Sequence, residues 1–194
     1  APYDDLLCDF LNNLSVNLRS YQNISDYPDV MTFAFWCRKS NIKKIKKEYI
    51  SEEFRLGLGT VFHITPSNIP VNFAFSFVFG LLSGNANIVR VPSKSFHQVG
   101  IICSAIEQVL TDNKYRKIKA MTTFVRYAQN DEITGIFSAN CNARIIWGGD
   151  LTIRNIRKLP TSERCVDIAF ADRYSICIID APSTYNNVSN YFHQ

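Results

Sequence analysis

The sequence lacks the patterns that mark metal-binding, secreted and membrane-spanning proteins. Its six cysteines form no Cys-x-x-Cys pair and its three histidines are scattered, so no metal site is predicted. No charged leader precedes an apolar stretch at the N-terminus. The longest apolar run, from Val71 to Leu82, is too short to span a bilayer and is interrupted by polar residues. We therefore expect a cytoplasmic protein without a membrane span.

Strong charge of either sign is also missing. The net charge is +4 over 194 residues. Nucleic-acid binding is not predicted, because no concentrated basic patch accompanies a readout motif. The one basic run, Lys39 to Lys47, carries Ile42 and Ile45 at helical spacing, which is typical of a solvated helix face.

Residues 1–54 are predicted to form a helical segment that packs on the rest of the chain. Apolar residues from Leu6 to Leu18 repeat at intervals of three and four and form one stripe. A second helix is predicted to begin near Pro28, with Asp26 as its cap, and to continue into the basic run.

From residue 58 onward, short apolar runs alternate with helical periodicity. Strands are predicted over 58–65, 87–91, 122–128, 143–147, 166–170 and 175–179, and helices over 70–82, 96–110, 132–139 and 150–159. Continuous apolar strands that alternate with helices predict a parallel sheet covered on both faces. The predicted fold class is α/β, with a doubly wound, mostly parallel, Rossmann-like sheet preceded by helices.

Ligands of such sheets bind beyond the carboxyl ends of the strands, and polar residues follow three of these predicted ends. The first is the turn from Thr65 to Pro70, in which two prolines leave Asn68 at the head of an apolar helix. Asn68 is a candidate site residue, and the alternative is that it only caps that helix. After the next strand, Arg90, Ser93 and Lys94 suit a phosphate or ribose, although a basic surface loop is an equal alternative.

The third predicted end carries Gly148 and Gly149 between a strand and a helix. Paired glycines let a backbone approach a pyrophosphate closely, whereas the alternative is an ordinary helix start capped by Asp150. Together, the three ends predict that residues 55–194 form a dinucleotide-binding domain.

The order and spacing of these segments resemble the aldehyde dehydrogenase superfamily, and within it the LuxC-type acyl-CoA reductases. The matching segments are PSNIP at 66–70, GLLSGNANIVR at 80–90, IWGGD at 146–150 and DRYS at 172–175. The likeness covers residue 55 to the C-terminus and implies the cofactor domain of an aldehyde dehydrogenase.

The resemblance implies roles for several of these residues. Asn68 matches the asparagine whose amide steadies the oxyanion of a thiohemiacetal, while Thr65, Pro66 and Ser67 form the cofactor turn beside it. Arg90 matches a lysine that contacts the adenosine ribose. Ser93 stands where NAD-preferring members often have a glutamate, so a serine beside Arg90 and Lys94 favours NADPH. Gly148 and Gly149 match the glycine–serine pair at the pyrophosphate.

Two departures from the superfamily pattern shape the predicted activity. The segment 169–173 lacks the glutamate that activates water in oxidising members, which favours a reductase. None of the six cysteines matches the nucleophile, which the resemblance places just after Gln194, the last residue of the sequence. We therefore expect a domain that ends before the catalytic domain and is inactive by itself.

The resemblance thus predicts the NADPH-binding domain of an enzyme that reduces a fatty acyl-CoA or acyl-protein thioester to an aldehyde through a cysteine thioester. Fatty acid reductases of this type serve bacterial bioluminescence, which implies an acyl-protein synthetase or transferase partner and a homo-oligomer at full length. An oxidising aldehyde dehydrogenase, a carboxyl-phosphate reductase and a non-catalytic nucleotide-binding domain remain alternatives.

Overall fold

The computed structural model describes residues 1–49, 55–172 and 176. Its centre is a five-stranded sheet in the order β3-β2-β1-β4-β5, and every neighbouring pair is parallel. The strands are β1 (Thr60–Ile64), β2 (Ala86–Arg90), β3 (Thr122–Val125), β4 (Ala143–Trp147) and β5 (Val166–Phe170). The predicted α/β class and parallel sheet are confirmed.

Helices precede the sheet and connect its strands. They are α1 (Asp5–Arg19), α2 (Pro28–Trp36), α3 (Lys39–Tyr49), α4 (Asn72–Leu82), α5 (His97–Val109), α6 (Arg116–Ala120), α7 (Asp131–Ala139) and α8 (Asp150–Arg157), with 3-10 turns at Ile24–Asp26 and Asn113–Tyr115. None of the helices in the described ranges is long and apolar enough to cross a membrane.

The two faces of the sheet carry separate apolar clusters, as a doubly wound fold requires. The larger cluster joins α1, α2, α4 and α5, with Phe10, Phe33 and Phe77 fully buried. On the other face, Phe62 and Ile146 pack against the apolar sides of α7 and α8. The N-terminal helices thus share one core with the helices of the sheet domain.

The structure corrects several predicted boundaries. The second helix is two helices, because the chain bends at Cys37 and Arg38. Asp26 does not cap α2, since it lies in a 3-10 turn and the helix follows Tyr27 without a side-chain capping bond. Helix α6 was missed by the periodicity, which is weak over five residues. The strand predicted over 175–179 lies almost wholly outside the described residues.

Helix α4 begins two residues later than predicted and ends as predicted. Pro70 and Val71 form a turn ahead of the helix, so that Val71 is the N-cap and Asn72 is the first helical residue. At its other end Gly84 has a positive φ of 81°, and the Asn85 and Gly84 amides donate to the carbonyls of Gly80 and Leu81. This pair of bonds closes the helix in a Schellman motif.

A buried hydrogen-bonded chain lies between α4 and the sheet. His63 is 0% exposed, its Nδ1 lies 2.8 Å from Ser76 Oγ, and its Nε2 lies 2.9 Å from Asn87 Oδ1. Asn87 Nδ2 donates to the Asn85 carbonyl, so the Asn87 Oδ1 atom accepts a hydrogen bond from the Nε2–H group of His63. Burial lowers the pKa of His63 to about 4, and the imidazole is therefore neutral at physiological pH.

This shift predicts acid sensitivity within a defined window. The unfolded chain binds a proton at His63 near its ordinary pKa of 6.5, whereas the folded chain binds it only near 4. The free energy of unfolding is therefore highest above pH 6.5. It falls by about 3 kcal/mol as the pH is lowered toward 4. Urea unfolding at several pH values measures this slope. His97→Asn, which alters an exposed histidine, should keep the slope, while His63→Gln should flatten it; an unchanged slope in His63→Gln would refute the assignment.

Candidate functional site

A cleft of about 980 Å³ opens at the carboxyl edge of the sheet. It is lined by residues that follow all five strands and by the first turns of α4, α7 and α8. Of the sequence-predicted site residues, the cleft brings together Thr65, Pro66, Ser67, Asn68, Arg90, Ser93, Gly148 and Gly149. Lys94 is exposed and is not among the lining residues.

The end of β1 is tied to the end of β2 by a side chain. Thr65 is buried, and its hydroxyl donates to the backbone carbonyl of Arg90 at 2.7 Å. Asn68 is exposed in the cleft, four residues before α4 begins, and Val71 occupies the N-cap position. The alternative that Asn68 only caps this helix is therefore wrong, and its amide is available to a ligand.

Arg90 is the only cation that lines the cleft in the described part of the chain. Its guanidinium lies over the Tyr127 ring, 4.6 Å from the centroid, and one of its nitrogens donates to the Tyr127 carbonyl at 3.5 Å. Stacking on an aromatic ring fixes the guanidinium plane and leaves most of its N–H donors free for an anion.

The glycine pair meets the start of α8. Gly149 is the N-cap and forms no side-chain capping bond, so Asp150 is the first helical residue and is not the predicted cap. The amides of the first turn therefore lack side-chain partners and carry the positive end of the helix dipole. A Cβ on Gly149 would lie 2.6 Å from Asp172 Oδ2, which shows how closely the loop after β5 approaches this backbone.

Aromatic rings form the wall of the cleft at β4 and β5. The rings of Trp147 and Phe170 stack with centroids 4.0 Å apart and an interplanar angle of 11°. Both residues line the cleft, together with Asp172.

Sequence reasoning missed the contribution of the loop after β3. Gln129 and Asp131 line the cleft, and Tyr127 supports Arg90 from below. The sequence pattern could have indicated this contribution, because β3 neighbours β2 in a doubly wound sheet and its carboxyl end must reach the same edge.

Among the described residues, no cluster of three or more metal-ligating side chains occurs.

Comparison with known structures identifies the fold. An aldehyde dehydrogenase PutA from Anabaena variabilis aligns with a TM-score of 0.55 and 13% identity, over 86% of this chain and 38% of that one. A mutant proline utilization A from Bradyrhizobium japonicum gives 0.63 and 13%, over 88% and 20%. Glyceraldehyde-3-phosphate dehydrogenase GapN from Methanocaldococcus jannaschii, solved with NADP, gives 0.53 and 15%, over 87% and 40%.

The chain therefore has the fold of an aldehyde dehydrogenase domain and spans well under half the length of these proteins. No curated protein matches it closely enough to count as a relative. The sequence profile of the acyl-CoA reductase (LuxC) family matches residues 37–192, most of the chain. With the fold and this match in agreement, the chain belongs to the acyl-CoA reductase (LuxC) family of oxidoreductases.

Proposed function

We propose that this chain is the NADPH-binding domain of an enzyme that reduces a fatty acyl thioester to an aldehyde. The observation that carries the proposal is the convergence of Asn68, Arg90 and the Gly148–Gly149 backbone on one cleft. An amide donor, a guanidinium and free helix amides are the groups that an oxyanion, a ribose phosphate and a pyrophosphate require.

The cleft fits a dinucleotide in its donors as well as in its volume. Arg90 and Ser93 lie at the β2 end, where they suit a 2′-phosphate, and no carboxylate takes the place of Ser93. The buried Asn72 Oδ1, in the first turn of α4, has no hydrogen-bond partner within the described residues, although Asn72 lines the cleft. A ligand N–H or hydroxyl would satisfy this acceptor.

In this proposal the cofactor supplies a hydride, and the residues of this chain bind the cofactor and orient it toward the thioester. Asn68 donates its amide to the oxygen that becomes negatively charged as the thioester carbon turns tetrahedral. Arg90 and the first-turn amides of α8 neutralise phosphate charge, and Thr65 keeps the β1 and β2 ends in register through its 2.7 Å bond. The acyl chain and its carrier, CoA or a protein, would lie outside the cleft, with the carbonyl oxygen of the thioester within reach of Asn68.

The residues after β5 favour reduction over oxidation. By the resemblance, the segment 169–173 matches the stretch in which oxidising members have a water-activating glutamate. It contains no glutamate, and the Oδ2 atom of its Asp172 faces the Gly149 backbone. A site that activates water poorly spares a thioester from hydrolysis and leaves it for hydride transfer.

The 194-residue chain is expected to show no acyl-CoA-dependent NADPH oxidation. None of its five described cysteines lines the cleft. Burial raises the pKa of Cys103 to about 11 and that of Cys141 to about 12, so these thiols are not thiolates at neutral pH. Monitoring NADPH absorbance with a long-chain acyl-CoA tests this; turnover by the isolated chain would show that a nucleophile lies within it.

Calorimetric titration of the chain with NADPH and with NADH tests the proposed function. We expect saturable 1:1 binding of both, with NADPH bound more tightly. Tighter NADH binding would overturn the cofactor assignment. Binding of neither would favour the alternative of a domain without nucleotide chemistry.

A further inference from the structure

Trp147 connects the wall of the cleft to the buried chain beneath it. Its Nε1 donates to Ser76 Oγ at 3.1 Å, and Ser76 Oγ lies 2.8 Å from His63 Nδ1. Ser76 is 2% exposed and lies in α4, which packs on β2 and β1. The indole of a cleft residue is thus held from below by a hydroxyl that has no access to solvent.

Only one assignment of donors and acceptors is consistent with the hydrogen bonds that link Trp147, Ser76, His63 and Asn87. His63 Nε2 carries the proton that Asn87 Oδ1 accepts, so Nδ1 is an acceptor. Ser76 therefore donates its proton to Nδ1 and accepts one from Trp147. With His63 neutral, each of these side-chain groups has a hydrogen-bond partner. The network therefore favours a single orientation of the indole ring.

The position of Trp147 across the sheet indicates which part of a dinucleotide it meets. Arg90 is the last residue of β2 and Trp147 the last residue of β4, with β1 between these strands, and Phe170 is the last residue of β5. From β2 to β5 the edge spans three strand spacings, about 14 Å. A dinucleotide with its adenosine phosphate at Arg90 and its pyrophosphate at Gly148 therefore extends its nicotinamide toward the stacked pair of Trp147 and Phe170.

We propose that the Trp147–Phe170 pair is the contact surface for the nicotinamide ring, and that Ser76 is a positioning residue that holds the indole in place for it. This inference rests on the proposed function. The two aromatic side chains offer a flat surface, and the nicotinamide is a flat ring. Flat rings of this kind favour offset stacking. The bond to Ser76 gives the Trp147 N–H its partner and holds the indole plane in one orientation at the cleft wall.

Tryptophan fluorescence tests the contact without any need for turnover. The chain has two tryptophans, and Trp36→Phe leaves Trp147 as the single emitter. Oxidised NADP⁺ does not absorb in the range of indole emission, so it quenches only through contact, by electron transfer to the pyridinium ring. Saturating NADP⁺ should cause loss of Trp147 emission. Adenosine 2′,5′-bisphosphate, which lacks the nicotinamide, should bind and leave the emission unchanged.

Ser76→Ala tests the positioning role. Loss of the hydroxyl should weaken NADP⁺ binding about fivefold, the factor that corresponds to about 1 kcal/mol for one hydrogen bond. Binding of adenosine 2′,5′-bisphosphate should not change. Ser15→Ala and Ser138→Ala are matched controls, because both serines are fully buried and their hydroxyls have no partner within the described chain. If Ser76→Ala does not fold, Trp147→Phe, which removes the N–H donor and shortens the bicyclic indole to a single aromatic ring, should give the same selective weakening.

The outcomes separate the two proposals. Calorimetric binding of NADP⁺ with unchanged Trp147 emission, or with equal weakening of both ligands in Ser76→Ala, would overturn this inference and leave the proposed function standing. If neither NADP⁺ nor adenosine 2′,5′-bisphosphate binds, the proposed function is overturned and this inference with it. Contact quenching that Ser76→Ala diminishes supports both.

Discussion

Gly80→Ala is expected to lower the free energy of unfolding by about 3 kcal/mol, through overpacking and the loss of a buried hydrogen bond. A Cβ at this position would collide with Asn87 Oδ1 and lie 2.8 and 2.9 Å from His63 Cε1 and Nε2. None of these atoms can move freely, because His63 and Asn87 are both at most 2% exposed. The substitution would therefore break the bond between the two side chains. Urea denaturation measures the change in midpoint.

Gly100→Ala is the matched control for this prediction. Gly100 also lies inside a helix, α5, but a Cβ there meets no atom within 4 Å. Alanine should therefore stabilise the protein by about 0.5–1 kcal/mol, since it removes backbone freedom from the unfolded chain. Equal effects of the two substitutions would show that helix propensity alone, and not close contact with His63, governs Gly80.

Arg90→Glu is expected to weaken NADPH binding roughly thirtyfold, which corresponds to about 2 kcal/mol for a charge-assisted bond. The reason is that Arg90 is the single cation among the described residues that line the cleft, where Asp131 and Asp172 are negative. NADH lacks the 2′-phosphate and should lose much less. Calorimetry with both dinucleotides measures the difference.

Arg126→Glu makes the same charge change one residue before Tyr127, at an exposed position that does not line the cleft. It should alter the two affinities little and equally. If Arg90→Glu weakens NADPH and NADH to the same extent, Arg90 has no role in recognising a 2′-phosphate, and the preference for NADPH must be abandoned.

Much of the sheet was predictable because its strands are bounded by unambiguous residues. The strands at 143–147 and 166–170 have the predicted bounds, since Asn142 precedes the first, Gly148 follows it, and the polar run 161–164 lies one residue before the second. The cleft at the carboxyl edge followed from the parallel topology, which places Asn68, Arg90 and Gly148 at one edge.

What escaped prediction depends on contacts between distant residues. Tyr127 reads as a continuation of the strand after Val125, and only the structure shows its ring beneath Arg90. The bond between Trp147 and Ser76 joins residues 71 positions apart, and nothing in local periodicity signals it. The apolar pattern predicts that His63 lies in a strand, but it does not predict the buried hydrogen bonds of its ring. Hydropathy does not reveal which polar side chains find buried partners.

Amide chemical-shift mapping during an NADPH titration tests the central claim most directly. The claim is that the dinucleotide lies across the carboxyl ends of β2, β1 and β4. We predict the largest shifts at Asn68, Arg90, Gly148 and Gly149, with little change at Asn142, which lies at the opposite edge before β4. Shifts centred on that opposite edge, or on only one of the three strand ends, would contradict the account.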